Sequence, residues 1–493
     1  MGTLMRLGVV IGLCALLAGC TGGPLAPTPR ISAGGPVGGA TATPSAVAPS
    51  AALPSASASP TAEAGPSWAG GAAQAWYVSG VKLGFEYGAD VSPVSESVWM
   101  ASQLVGDITQ HWVGVNAASG KKLWEKDLAG SCAESALSTG EMACLSGNYG
   151  RLSLLTFKLS NGKKVRETSS RKWGWPAQMV ATAVEPVGDD VIVAGTQVLS
   201  GDYEDAKMGD VWVARLGPDG TAKWSQRFAH DDTDSSVDVP MAFMPHFAHG
   251  IVYLSRQVID VETGKSLRGS AGYPKHADGF IGDAALAGSV GNGQQSSAFA
   301  FPDGTSGATV DAGDSAWGGT FVGITSPDLP PFVMVQHVGP GKCAVGNPAS
   351  VQAFDPVAGT QGLWAKPVDT RVNTKSCREN AGPVAAYRNN LIALLDVSGR
   401  VALVDSGTGA VRWRVNLGAG YGNNSYTGVA LLSDGSVLIT AMSTENYRSQ
   451  SVILAAANGR RLWHAVGRAT ATPDGRAVML ADDNGGLKKL IPA

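Results

Sequence analysis

The chain has 493 residues and a formal net charge of −3, and 16 % of its residues are charged against a usual figure of about 25 %. This balance supplies no basic field for nucleic acid, and 65 glycines are poor material for long helices. In chain order, residues 1–20 come first: a short start with Arg6, an apolar run from Leu7 to Leu17, and small residues leading to Cys20. This is the pattern of an export signal, and its apolar run is shorter than the roughly 20 residues that span a bilayer. From Thr21 to about Gly70 the composition turns to Pro, Ala, Ser, Gly and Thr without apolar periodicity, which predicts a disordered, semi-stiff tether. Residues 71–493 follow as one long folded region with no second low-complexity break.

Leu16-Leu17-Ala18-Gly19-Cys20 resembles the bacterial lipobox. The resemblance implies cleavage before Cys20 and acylation of that residue, hence a lipid anchor on the outer side of a cell membrane. Four cysteines then remain, Cys132, Cys144, Cys343 and Cys377. An even number in an exported chain predicts two disulfides, with three pairings open. The near pairs, Cys132 with Cys144 and Cys343 with Cys377, are the preferred ones because each closes a local loop. No C-x-x-C spacing or flanking His supports zinc instead.

The folded region repeats one phrase. "VALVDSGTGAVRW" places an alternating apolar strand before an Asp, a turn with Gly409, and Trp413. Related copies centre on Gly120, Gly162, Gly220, Gly264, Gly304, Gly359 and Gly459, so eight are present, 40 to 58 residues apart. Such a period marks a propeller or solenoid. Within each copy the Gly suits a hairpin needing positive φ, and the Trp begins the return strand. Further short β-rich runs lie upstream of most copies, so each period holds four strands, one blade. The Trp is expected between adjacent blades, its indole N–H on a backbone carbonyl. The tail "AVMLADDNGGLKKLI" is expected to supply a strand that closes the ring near Trp76.

The phrase [apolar]-x-[apolar]-D-x-x-T-G-x-x-x-W resembles the PQQ-like repeat of quinoprotein dehydrogenases and of the propeller lipoprotein of the outer-membrane assembly machinery. The likeness is strong at 113–126 and 351–464 and weaker between, where Gly162, Gly264 and Gly304 belong to copies without Trp. It implies an all-β propeller of four-stranded antiparallel blades, eight by motif count or seven if the copy at Gly304 is not a blade.

Enzymatic chemistry finds little support. Quinoprotein dehydrogenases hold their cofactor under a vicinal disulfide, and no two cysteines here are adjacent. No G-x-S-x-G elbow and no Gly-rich phosphate loop with Lys and Ser or Thr occurs. His246 and His249 lack further ligands and would face opposite ways on a strand. Asp231, Asp232, Asp234 and Asp238 read as a solvated loop, since the Gly and distal Glu of a calcium loop are missing. The polar stretch from Gly288 reads as a mobile loop. Trp173 and Trp175, flanked by Arg171 and Lys172, stand outside the motif; they either fill space between blades or form ligand-binding aromatics for a sugar or peptide. The reading is therefore a monomeric, lipid-anchored, non-enzymatic module with no cofactor, binding envelope proteins or peptides. A quinone- or metal-dependent oxidoreductase and a glycan sensor are its rivals.

Overall fold

A computed structural model describes residues 67–493 except 106–108, 148, 201–206, 230–245, 249–250, 255–256, 268–276, 282–283, 292–293, 301–305, 312–319, 322, 326–332, 338–347, 355–361, 372–383, 397, 422–426 and 443–447. Cys20, Cys343, Cys377, the acidic run 230–238, His249 and the turn glycines Gly304 and Gly359 thus lie outside the described residues. The described chain is all-β in antiparallel sheets, mostly of four strands.

The sheets follow the sequence. Unit 1 runs Asp90–Ser92, Val98–Val105, Thr109–Asn116 and Lys122–Cys132, and the end of that last strand opens unit 2, with Glu141–Ser146, Ser153–Lys158 and Lys164–Ser169. Unit 3 comprises Met179–Val187, Asp190–Ser200, Lys207–Leu216 and Ala222–Phe228; unit 4 has three strands, His246–Ala248, Ile251–Leu254 and Gln257–Asp260. Unit 5 (Ala277–Ile281, Ala284–Gly291, Gln294–Ala300, Ser306–Asp311) includes as a hairpin the Gly-rich stretch expected to be a loop, because its small polar residues leave the backbone ladder free to form. Unit 6 is Thr320–Phe321, Val333–His337, Pro348–Phe354 and Gly362–Arg371. Unit 7 is Val384–Arg388, Leu391–Leu395, Arg400–Asp405 and Val411–Asn416, with Gly323–Thr325 added in parallel. Unit 8 is Gly428–Leu431, Val437–Met442, Ser449–Leu454 and Arg461–Val466.

The last unit joins the two ends of the fold. Arg468–Ala471, Val478–Ala481 and Leu487–Pro492 pair in order, and Ala72–Val78 adds the fourth strand, with Trp76 opposite Lys489. The described residues thus form nine such units, and the eight expected blades miss one. The reason is physical: each motif marks the turn between third and fourth strands, and in unit 9 the two chain ends occupy that place. The tail contributes two strands to this sheet, Val478–Ala481 and Leu487–Pro492, where one closing strand was expected.

Adjacent units share apolar cores. Trp76 and Met479 of unit 9 pack with Trp99 and Val113 of unit 1. Met100, Leu145, Phe157 and Leu216 tie units 1, 2 and 3 together. Further clusters join units 3 and 4 through Phe228 and Val252, units 7 and 8 through Leu403 and Val452, and units 8 and 9 through Ile453 and Leu480. Inner strands such as Leu391–Leu395 are buried on both sheet faces, so a lone unit would leave apolar faces in water. Because strands alternate in direction, turns between strands 1 and 2 and between 3 and 4 emerge at one end of every sheet. The remaining turns and the links between units emerge at the other.

Candidate interaction surface

The repeated turn is built by short-range hydrogen bonds. Asp405 Oδ1 accepts from the Thr408 N–H at 3.0 Å and from Thr408 Oγ1 at 2.9 Å, and Gly409 follows with φ 66°. Asp260 with Thr263 repeats the pattern, and Asn116 with Ser119 does so with an amide oxygen. Burial pushes the Asp405 carboxyl up, but the Thr408 bonds and nearby Arg412 outweigh it and hold the group below its ordinary range.

Four tryptophans on fourth strands each fasten their own unit to the next turn. The indole N–H of Trp76 donates to Ala117 O at 3.1 Å, Trp124 to Leu159 O at 2.6 Å, Trp224 to Val261 O at 2.8 Å and Trp413 to Ala456 O at 2.8 Å. The receiving turn presents its glycine to the ring: a Cβ on Gly120 would sit 2.6 Å from Trp76, and one on Gly162 2.5 Å from Trp124. Glycine is therefore needed twice over, for positive φ and for the approach of the indole.

Trp173 and Trp175 serve the same fastening. They are 4 % and 3 % exposed, meet edge to face at 5.3 Å, and donate to Gly220 O and to Ser225 Oγ of unit 3. Unit 2 carries Arg166 where the motif has Trp, and Trp173 supplies the missing ring from the connecting 3-10 turn Ser170–Trp173. The expectation of ligand-binding aromatics loses its geometric basis, since neither ring offers a face to solvent. The signal for this in the sequence is the missing Trp of the preceding copy.

The cysteines form a bond where expected, Cys132 to Cys144, opposite each other on neighbouring strands of unit 2. Units 3 and 4 share a buried charge network. Asp190 Oδ2 accepts from Arg215 Nε at 2.6 Å and Lys223 Nζ at 2.7 Å, while Arg215 also donates to Val261 O and pairs with Glu262. On the first strand of unit 3, burial and then the neighbouring Glu134 push the Glu185 carboxyl up to about 7. Among the described residues no group of three or more His, Cys, Asp or Glu is arranged to hold a metal, and no helix is long and apolar enough to cross a membrane. His246 opens its strand opposite Tyr253.

Among the described residues, Val165, Leu199, Val466 and Ile491 are exposed on separate strands, while another group of exposed apolar side chains lies around the short helix Gly80–Leu83, which links units 9 and 1 at the end away from the motif turns. Val81 is 89 % exposed, Tyr77 and Tyr87 are each 46 % exposed, and Leu104 is 41 % exposed. These side chains surround the turn 482–486. Tyr77 lies beside Gly486, Gly80 packs on Asn484, the Tyr87 carbonyl lies beside Gly485, and Tyr87 Oη donates to Leu104 O at 2.6 Å. His111 fixes the helix to unit 1, its ring nitrogens meeting the Asp127 carboxylate at 2.6 Å and the Leu83 carbonyl at 3.1 Å.

Residues 313–490 match the family model described as outer membrane protein assembly factor BamB. Over that stretch the chain is similar to the PQQ-like repeat family. No curated protein matches the chain. Among solved structures, BamB from Moraxella catarrhalis is 10 % identical and similar over 85 % of this chain and 99 % of its own, with a TM-score of 0.42. Sqt1 from Saccharomyces cerevisiae is 11 % identical over the same shares with a TM-score of 0.42. The computationally designed Ika8 protein is 14 % identical over 72 % and 94 %, with a TM-score of 0.38.

Proposed function

We propose that this chain is a lipid-anchored propeller, each unit one blade, that acts as a non-enzymatic scaffold for proteins of the cell envelope. The match of residues 313–490 to a family model described as an assembly factor supports a protein-binding role. The observation that carries the reading is the exposed patch of Tyr77, Val81, Tyr87 and Leu104, where large apolar side chains are held in place by a well-packed helix and turn. Such a patch fits an apolar protein surface. The burial of Trp173 and Trp175 removes the pair on which glycan recognition was based. Cys20 is the anchor in this reading, and Cys343 with Cys377 the second disulfide.

The test is crosslinking in intact envelopes, comparing the wild-type chain with Val81→Asp and Leu104→Asp. Both variants are expected to keep the wild-type far-ultraviolet spectrum and to lose the crosslinked protein. Unchanged crosslinks would overturn the assignment of the patch, and a tight quinone absorption band or stoichiometric metal in the purified protein would overturn the scaffold reading.

A further inference from the structure

The end of the fold that carries the motif turns differs in charge from one arc to the next. The turns 216–223, 260–266 and 405–412 of units 3, 4 and 7 contain Asp219, Asp260 with Glu262, and Asp405. The turns 116–122, 158–164 and 455–461 of units 1, 2 and 8 contain no carboxylate. There the motif Asp gives way to Asn116, Lys158 and Ala455, and the turn glycine is followed by two cations: Lys121 and Lys122, Lys163 and Lys164, Arg460 and Arg461. Lys122 and Lys164 are held by Glu125 at 2.7 Å and Glu167 at 2.9 Å on their own strands. Lys121, Lys158, Lys163, Arg460 and Arg461 are exposed, and among the described residues no carboxylate pairs with them.

Units 8, 9, 1 and 2 are consecutive, so these cations form one arc with unit 9 inside it. Unit 9 has no turn at that place. The chain enters the fold there instead: the Trp68 N–H donates to Asp434 of unit 8 at 2.7 Å, its indole N–H to Gly475 O of unit 9 at 3.2 Å, and Ala493 donates to Gly71 O. Asp434 and Gly475 lie in turns between first and second strands, at the same end of their sheets as the motif turns. The carboxylates of this end near the arc, Glu96, Glu134, Asp189, Asp434 and Asp474, belong to those first-to-second turns, and Glu141 stands opposite Lys158 at the start of the second strand of unit 2. The first strands of units 9 and 1, of units 2 and 3 and of units 7 and 8 meet, which puts these turns on the inner side and leaves the outer rim cationic.

We propose that this arc docks the propeller on the anionic phospholipid surface of the membrane to which the chain is tethered. The proposal rests on the lipid-anchor reading above, because the segment between Cys20 and Ser67 then leads from the bilayer to the middle of the arc. Exposed cations attract an anionic leaflet only within about 8–10 Å at physiological salt. An anchor that enters at the same end confines these cations to the tether's reach of the bilayer, so that encounters within that distance are intramolecular. Docking at this end turns the patch around Val81 away from the bilayer.

The test uses the full acylated chain on vesicles of phosphatidylcholine, with and without phosphatidylglycerol, each containing a dansyl-labelled lipid. Flotation with phosphatidylcholine vesicles reads the anchor, and energy transfer from tryptophan to dansyl reads docking. Transfer is expected to rise when phosphatidylglycerol is present and to fall back to the phosphatidylcholine level in high salt. The triple variant Lys121→Glu, Lys163→Glu, Arg460→Glu, with a wild-type melting curve, is expected to show the lower level at any salt. Flotation on both vesicles with equal transfer would overturn docking and leave the anchor standing. Flotation on phosphatidylglycerol vesicles alone would overturn the anchor and support the arc; no flotation on either would overturn both.

Discussion

Trp124 gives the sharpest test of how the units are fastened. Its ring is buried, meets Phe157 edge to face at 4.9 Å, lies against Gly162, and donates from Nε1 to Leu159 O at 2.6 Å. A buried Trp removes about 150–250 Å² from water, worth about 4–6 kcal/mol gross at about 25 cal/mol per Å². Trp124→Ala should therefore cost about 3–5 kcal/mol after partial collapse of the site. Trp124→Phe keeps most of the apolar contact and leaves the Leu159 carbonyl without this donor, at a cost of about 1–3 kcal/mol. Gly162→Ala should cost at least as much as the Phe variant, since its φ of 68° is strained for alanine and its Cβ meets the indole. Because units stack in a row, the loss should appear first at the boundary of units 1 and 2. Hydrogen exchange is the assay: in Trp124→Phe, amides of Ser153–Lys158 and Lys122–Cys132 should lose protection before those of unit 8. Protection within about 0.5 kcal/mol of wild type would refute the claim that these indoles hold neighbouring units together.

Three further outcomes follow from the same physics. Glu185 has a folded pKa raised from 4.5 to about 7, so the unfolded chain ionises first and stability falls as pH rises from about 4.5 to 7. Glu185→Gln should then gain about 1–2 kcal/mol at pH 8, after discounting for partial exposure, and nothing at pH 4, as read by urea unfolding at the two pH values. Asp190→Asn leaves the buried Arg215 short of its main carboxylate and should cost about 3–5 kcal/mol, whereas joint replacement of Asp190 and Arg215 by apolar residues should recover most of that in thermal melts. Removing the Cys132–Cys144 bridge by serine at both positions should cost about 3 kcal/mol, the loop-entropy value for a separation of 12 residues, and reductant should then have no further effect at this site.

The repeat was legible because its two fixed residues each do a job that no other residue does. A positive-φ turn beneath an indole admits only glycine, and a ring reaching the next carbonyl requires Trp: Gly120 lies under Trp76 and Gly459 under Trp413, and Trp124 and Trp413 each donate to the next turn. Unit 9 was not legible as a separate sheet because its turn is replaced by the chain ends, whose pairing joins residues about 420 apart: Ala72 with Pro492. The role of Trp173 stayed open in the sequence for a related reason. Its role is set by Arg166 standing where a Trp would be, and a single sequence shows that gap only after the register of unit 2 is known. The patch around Val81 has no sequence signature, since its exposure depends on the packing of Gly80 against Asn484.

Departures from a repeat are informative when the departing position carries none of its structural load. The G+1 residue of each turn contributes the same backbone bonds whatever its side chain: its carbonyl accepts from the motif Asp position in Lys121, Lys163, Lys265, Ala410 and Arg460 alike. Side chains at that position are thus free of the fold. The motif Asp is less free, because its carboxylate caps the turn, yet Asn116 performs the capping without charge, and Asn161 and Asn458 cap from later in their turns. The three turns that gave up the carboxylate kept their geometry by these amide caps and gained paired cations, and they flank the one unit where the chain enters. Stability alone does not select that combination, since exposed cations in neighbouring turns repel each other. Attraction to an anionic surface at that end does.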